Sequence, residues 1–234
     1  MNQKPWLMPV AVLMGAAMLA IGFYASRVQS DTLSVTGSAK RSVTADTGKL
    51  TLDWSRSVGL DGLRGGYTQM KDDENAITAF LSGKGFGSDT MNITAVSLEE
   101  PNKYNAQAIQ EYTLRQSVTV TSTDIGKIAD LAKGLQPLVD RGIVLAPQQP
   151  EYYYSKLADL RIELLGEAVK DARARADIIA TSGGQKLGSL MSASMGVVQV
   201  LSPNSTDVSD YGSYDTSTQD KDVMVTVRAS FRVK

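Results

Sequence analysis

Hydrophobic and polar positions along this chain fall into three regimes. From Leu7 to Tyr24 an 18-residue apolar run carries no charge, and the charge-free stretch extends from Pro5 to Ala25. A helix of about 20 residues crosses the ~30 Å hydrocarbon core of a bilayer. Trp6 and Tyr24 stand at the two ends, where amphipathic rings favour the membrane interface. The pattern predicts one transmembrane helix that places residues 5–25 in the lipid bilayer. Beyond residue 31 the pattern changes to alternation. Leu33 and Val35, then Leu50, Leu52 and Trp54, predict two half-buried strands joined by a turn near Ala45-Asp46.

The third regime is helical spacing. Met70, Ile77, Phe80 and Leu81 predict a helix that closes at Gly83 and Gly85. Strands are then expected over SDTMNITAVSLEE (88–100) and AIQEYTLRQSVTVTST (108–123). Asp124 is placed to cap a helix carrying Ile125, Ile128, Leu131 and Leu135, which Pro137 disturbs. A strand from about Ile143 to Tyr154 leads into the longest helix, and strands near 187–200 and 222–233 finish the chain around a polar loop, 202–221. Strands and helices mix without strict β-α-β alternation. The expected fold class is therefore α+β, a largely antiparallel sheet with helices packed on one face, preceded by the transmembrane helix.

In the long helix, Leu157, Leu160, Leu164, Ala168, Ala172 and Ile179 form an apolar stripe, widened by Leu165, Val169 and Ala176. Alanine at 168, 172 and 176 leaves room for another backbone to approach. Asp171 and Arg175 make a favourable i,i+4 pair, and Gly183-Gly184 supplies the C-terminal stop.

Composition removes several chemistries. The chain contains no cysteine and no histidine, so Cys-His and Ser-His-Asp catalysis, His-ligated metals and Cys-rich zinc sites are impossible. A lipoprotein anchor is excluded for the same reason. With 24 basic and 25 acidic residues there is no basic excess to attract nucleic acid. Glu163, Glu167 and Asp171 read as an ordinary solvated helix face. Asp207, Asp210, Asp215 and Asp220 enrich the polar loop in oxygen ligands, but their spacing matches no EF-hand. Gly62, Gly65 and Gly66 match neither phosphate-binding glycine motif and read as a flexible helix entry. Asp53 and Trp54 look like ordinary strand residues. No catalytic residue, cofactor or metal-ligand set is predicted, and the chain is read as a non-enzyme.

Lys4 before the apolar run, with only Arg27 close behind it, keeps the N-terminus cytoplasmic and exports the rest. The run exceeds a usual signal-peptide core of about 7–15 residues, and Val28-Gln29-Ser30 is a weak cleavage site. Residues 1–30 are expected to form a retained anchor and short linker, with a cleaved signal peptide as the alternative, and residues 31–234 one exported domain. The expected location is the cytoplasmic membrane, single-pass, with that domain periplasmic or extracellular. Candidate contacts between copies are Tyr152, Tyr153, Tyr154, Ala168, Ala172, Asp171, Arg175, Tyr211 and Tyr214. Tyrosines make good interface anchors, and the alanine row and charged edge belong to the same long helix.

Several ordered segments resemble the SIMPL-domain family: LSVTGSAKRSVTADTGKLTL, GKGFGSDTMNITAVSLEEPNKY, IQEYTLRQSVTVTSTDIGKIADLAKG, ELLGEAVKDARARADIIATSGGQKLG and DVMVTVRASF. None is a catalytic motif. The resemblance implies an exported α+β envelope protein that forms homo-oligomers, ring-like or hollow in some members, with a loose link to oxidative or envelope stress. The chain departs from the simplest members in its expected anchor and its polar segment before the last strand. The resulting expectation is a membrane-anchored protein that partners with itself. The alternative is an exported binding module that holds a metal, small ligand or envelope protein.

Overall fold

The computed structural model describes residues 13–22, 31–100, 111–207 and 209–234. Residues 13–22 form helix α1, with Leu13, Met14, Met18, Leu19 and Ile21 exposed. Among the described residues no helix is long and apolar enough to cross a membrane. The remainder of the expected 5–25 span lies outside them.

The elements that follow are β1 (Thr32–Thr44), β2 (Thr47–Val58), α2 (Leu63–Gly83), β3 (Met91–Ile93), β4 (Ser97–Glu99) and β5 (Tyr112–Ser122). Next come α3 (Ile125–Lys133), α4 (Gln136–Val139), β6 (Leu145–Pro147), β7 (Glu151–Tyr153) and α5 (Leu157–Ser182). The chain ends with β8 (Leu187–Leu201), β9 (Ser213–Tyr214) and β10 (Asp220–Val233). The α+β class holds, but one sheet becomes two. The first has strand order β1-β10-β8-β9, and the second β3-β5-β2-β6 with β4 also on β5 and β7 also on β2. The expected turn at Ala45-Asp46 is present, yet it passes the chain from one sheet to the other. β8 pairs with β9 in parallel.

Two compact units divide the described residues. The larger comprises Ala39–Gly166 and Val197–Val225, and the other takes residues up to Ser38 with Glu167–Gly196 and Thr226–Lys234. In the larger unit, β2 and β5 pair along their lengths, with Leu50 opposite Val120, Leu52 opposite Val118 and Trp54 opposite Gln116. The alternation read from sequence therefore puts these side chains on one face, where Met70, Ile77 and Leu81 of α2 and Ile128 and Leu131 of α3 complete the core. Arg56 fastens α2 to the sheet, its guanidinium donating twice to Asp73, at 2.7 and 2.8 Å. The Asp124 carboxylate accepts from the backbone N–H of Lys127, the expected cap of α3. Asp124→Ala should cost about 1 kcal/mol of stability, read as a lower thermal midpoint.

Several boundaries need correction. The strand expected over 88–100 is two strands, because three residues, 94–96, stand against two, Gln116 and Ser117, between the β3 and β4 pairings. That is a β-bulge. The strand expected over 143–154 is likewise β6 and β7, with 148–150 against Leu50 and Thr51. Pro150 falls in this gap, and proline has no N–H for a ladder. Pro137 opens α4 rather than disturbing α3, which ends at Lys133. Gly65 and Gly66 are inside α2 and not a flexible entry, and Gly66 is buried close to Val58 and Leu114.

In the other unit, α5 lays Ala168, Ala172, Ala176 and Ala180 on the sheet, all buried. Val35, Val227, Ala229 and Phe231 are buried there too. The helix stops as expected, with Gly184 at φ +74° and the Gln185 N–H donating back to the Ala180 carbonyl at 2.8 Å. Ile179 is not part of the stripe; it is exposed, as is Ile178. Residues four apart advance by about 40° around a helix, so the alanine row winds away from Ile179.

Candidate functional site

Three groupings gather the polar and aromatic chemistry. The first forms where the 202–221 segment folds back in the larger unit. Asp215 donates its backbone N–H to the Val200 carbonyl at 2.8 Å, and Tyr152 donates its own to the Thr216 carbonyl at 2.7 Å. The Tyr214 hydroxyl accepts from the Tyr154 N–H at 3.1 Å, and the Tyr153 and Tyr214 rings lie 5.9 Å apart. Tyr152 is buried, Tyr153 and Tyr154 are half-buried, Tyr214 is partly exposed, and Tyr211 is almost fully exposed. Four of the five candidate tyrosines are thus brought together, engaged by their own chain.

At the base of this segment lies Lys221, which is fully buried. Its ammonium donates to the carbonyls of Asp215 at 2.5 Å and Thr218 at 2.8 Å, and sits 5.7 Å from the centre of the Tyr214 ring. Burial pushes the Lys221 pKa down, and the Asp215 carboxylate partly offsets it. Burial raises the Asp215 pKa, but hydrogen bonds from Thr218 and Ser217 outweigh it and hold the carboxyl below its ordinary value. Asp220 accepts from the Thr44 hydroxyl at 2.8 Å. Among the described residues no three acidic groups converge where a metal could sit.

The second grouping is the seam of α5 and β1. Gly37 faces the alanine row so closely that a Cβ there would stand 2.7 Å from the Ala172 Cα. The expected close backbone approach is therefore made by β1 of the same chain. Ala168 and Ala172, fully buried, have no surface left for a second copy. The Asp171 carboxylate accepts from the Ser38 backbone N–H and from Arg175, each at 2.8 Å. The Ser38 bond, then Arg175, lowers its pKa against the opposing effect of burial. A depressed carboxyl contributes stability above its unfolded value, 3.8, and loses it as pH falls through the folded value. Asp171→Asn should therefore be less stable than wild type at neutral pH, and the gap should close below pH 3.8 in acid-unfolding curves.

The third grouping, missed at the sequence level, is a cavity of about 400 Å³ on the sheet face opposite the helices of the larger unit. Asp53, Ser55, Arg115 and Ser117 line it from β2 and β5, Thr94 and Ser97 from beside the β3–β4 bulge, and Val144 and Ala146 from beside and within β6. Asp53 accepts from Gln148 at 2.9 Å, and Arg115 donates to Glu99 at 2.8 Å. Among the described residues of the lining Asp53 is the one acid, so no second carboxylate stands there for a two-carboxylate mechanism. The lining suits hydrogen bonding to a small polar molecule. Alternation puts Asp53, Ser55, Arg115 and Ser117 on one face, and that was the available signal. The burial of Lys221 had none.

No curated protein matches the chain. The model of the SIMPL family, described as a protein of unknown function (DUF541), matches residues 33–232. That match covers both sheets and α2 through α5, from the second residue of β1 to the penultimate residue of β10. The chain belongs to the SIMPL family.

Proposed function

We propose that this protein is a non-enzymatic, membrane-anchored envelope protein whose exported domain associates with further copies of itself. The observation that carries self-association is the exposed apolar surface of the smaller unit. Ile178 and Ile179 on α5, and Leu190, Met191 and Met195 on β8, are between 43 and 67% exposed. Apolar side chains grouped in one unit favour burial against a partner. The charge-free run from Pro5 to Ala25 supports the anchor, and anchored copies meet at a raised effective concentration. Only the family resemblance speaks for a part in oxidative or envelope stress.

Membrane fractionation tests the anchor. The full chain should sediment with membranes, resist an alkaline wash, and expose its folded domain to protease from the exported side. Recovery in the soluble exported fraction, shortened at its N-terminus, would mean a cleaved signal. A second reading, a binding module, is favoured by the cavity at Asp53 and Arg115. Saturable binding of a small polar ligand that Asp53→Ala abolishes would support it.

A further inference from the structure

Among the described residues, three of the four sheet edges are guarded against joining another strand. The β3–β4 edge is short and bulged, and the β6–β7 edge is short, bulged and interrupted by Pro150. The β1 edge has its Ser38 N–H taken by Asp171 and carries Lys40 and Arg41. Bulges, prolines, charges and covered amides are the usual means of blocking edge-to-edge pairing. The fourth edge has none of them. β8 is 15 residues long and bonds to β10 on one side, while on its other side β9 pairs at Gln199 and Val200 and Gly212 lies against Val197 and Val198. Residues 187–206 contain no charge. Ser189 to Met195 are exposed without a break, although a strand with one covered face would alternate.

We propose that the free edge of β8, centred on Ala193, pairs antiparallel with the same edge of a second copy across a two-fold axis. The inference rests on the self-association reading above and adds its surface and symmetry. An uncharged edge gives a charged segment nothing to pair with, whereas its own sequence complements it. With Ala193 opposite itself, Met191 meets the copy's Met195, Ser192 meets Ser194 and Leu190 meets Gly196. Like meets like at the first two, and a large side chain meets a glycine at the third, the kind of cross-strand matching that stabilises a sheet. Such a pair over residues 190–196 forms about six to eight main-chain hydrogen bonds, within the range an interface of standard size carries. The guarded β1 edge blocks head-to-tail addition of copies to this sheet. The pairing therefore closes as a dimer and does not propagate as a filament.

Absence of native cysteine makes the test direct. Opposed residues of an antiparallel pair lie about 4.5–5.5 Å apart at Cα, within the range a disulfide spans. Ala193→Cys in the full-length chain, in native membranes, should give a disulfide dimer in high yield on mild oxidation. Leu60→Cys, also exposed but on no strand, should give little. Ala193→Lys should abolish the dimer, with an unchanged circular-dichroism spectrum. If Ala193→Cys links no better than Leu60→Cys while wild type is still multimeric, the β8 edge is not the interface and self-association stands. If wild type is monomeric, both readings fall together.

Discussion

Gly37→Val is expected to be the most damaging single substitution in the described fold. A Cβ at this position would stand 2.7 Å from the Ala172 Cα, and no side-chain rotation can clear a backbone atom. Overpacking costs about 1–3 kcal/mol where side chains can yield. Here β1 must part from α5, which also draws the Ser38 N–H off Asp171. A loss of about 3 kcal/mol or more is a large part of the roughly 5–15 kcal/mol that holds a typical domain together. Urea unfolding of the purified chain should show the loss as a lower midpoint. Ala172→Leu, which fills the same seam from the helix side, should act in the same direction. A midpoint for Gly37→Val close to that of wild type would mean the seam is looser than described.

Lys221→Met should be the next largest. Methionine keeps most of the buried stem but removes the donors that the Asp215 and Thr218 carbonyls use. Hydrogen bonds from a charged donor contribute about 1.5–3 kcal/mol each, and relief from burying an ammonium offsets part of their loss. A net cost of about 1–3 kcal/mol follows, with the 202–221 segment becoming cleavable by protease under native conditions. The pH dependence separates a role of the charge from one of shape. The folded pKa of Lys221 is depressed below 10.5, so the unfolded chain binds more protons between the two values. Stability contributed by this group therefore rises as pH increases through the folded pKa toward 10.5. Wild type should show that rise relative to the methionine variant, whose difference curve removes the other titrating groups. Parallel curves would mean that Lys221 is not buried as a cation.

What the sequence disclosed follows from the range of the interactions involved. Leu50, Leu52 and Trp54, or Asp124 and Gly184, are placed by alternation, capping and a positive φ, all local rules. The alanine row at 168, 172 and 176 announced a close approach but not its partner, because Gly37 is far away in sequence. Edge status is equally non-local. LSVTGSAKRSVT and LGSLMSASMGVV both read as strands, and only topology shows that one edge meets Asp171 and the other is bare. Pro150 carried a local warning against a continuous strand to Tyr154, but the β3–β4 bulge carried none. As for candidate sites, the tyrosines were legible as a group. Their gathering around Lys221 was not, since a buried lysine is written like an exposed one.

Native mass spectrometry of the full chain, extracted gently from membranes, tests the central claim most directly. An anchored, self-associating protein predicts an intact 25.1 kDa protomer in a multimer of defined, even stoichiometry. A monomer lighter by roughly three kilodaltons, as removal of a 15–30-residue signal peptide would give, would contradict both the anchor and the assembly.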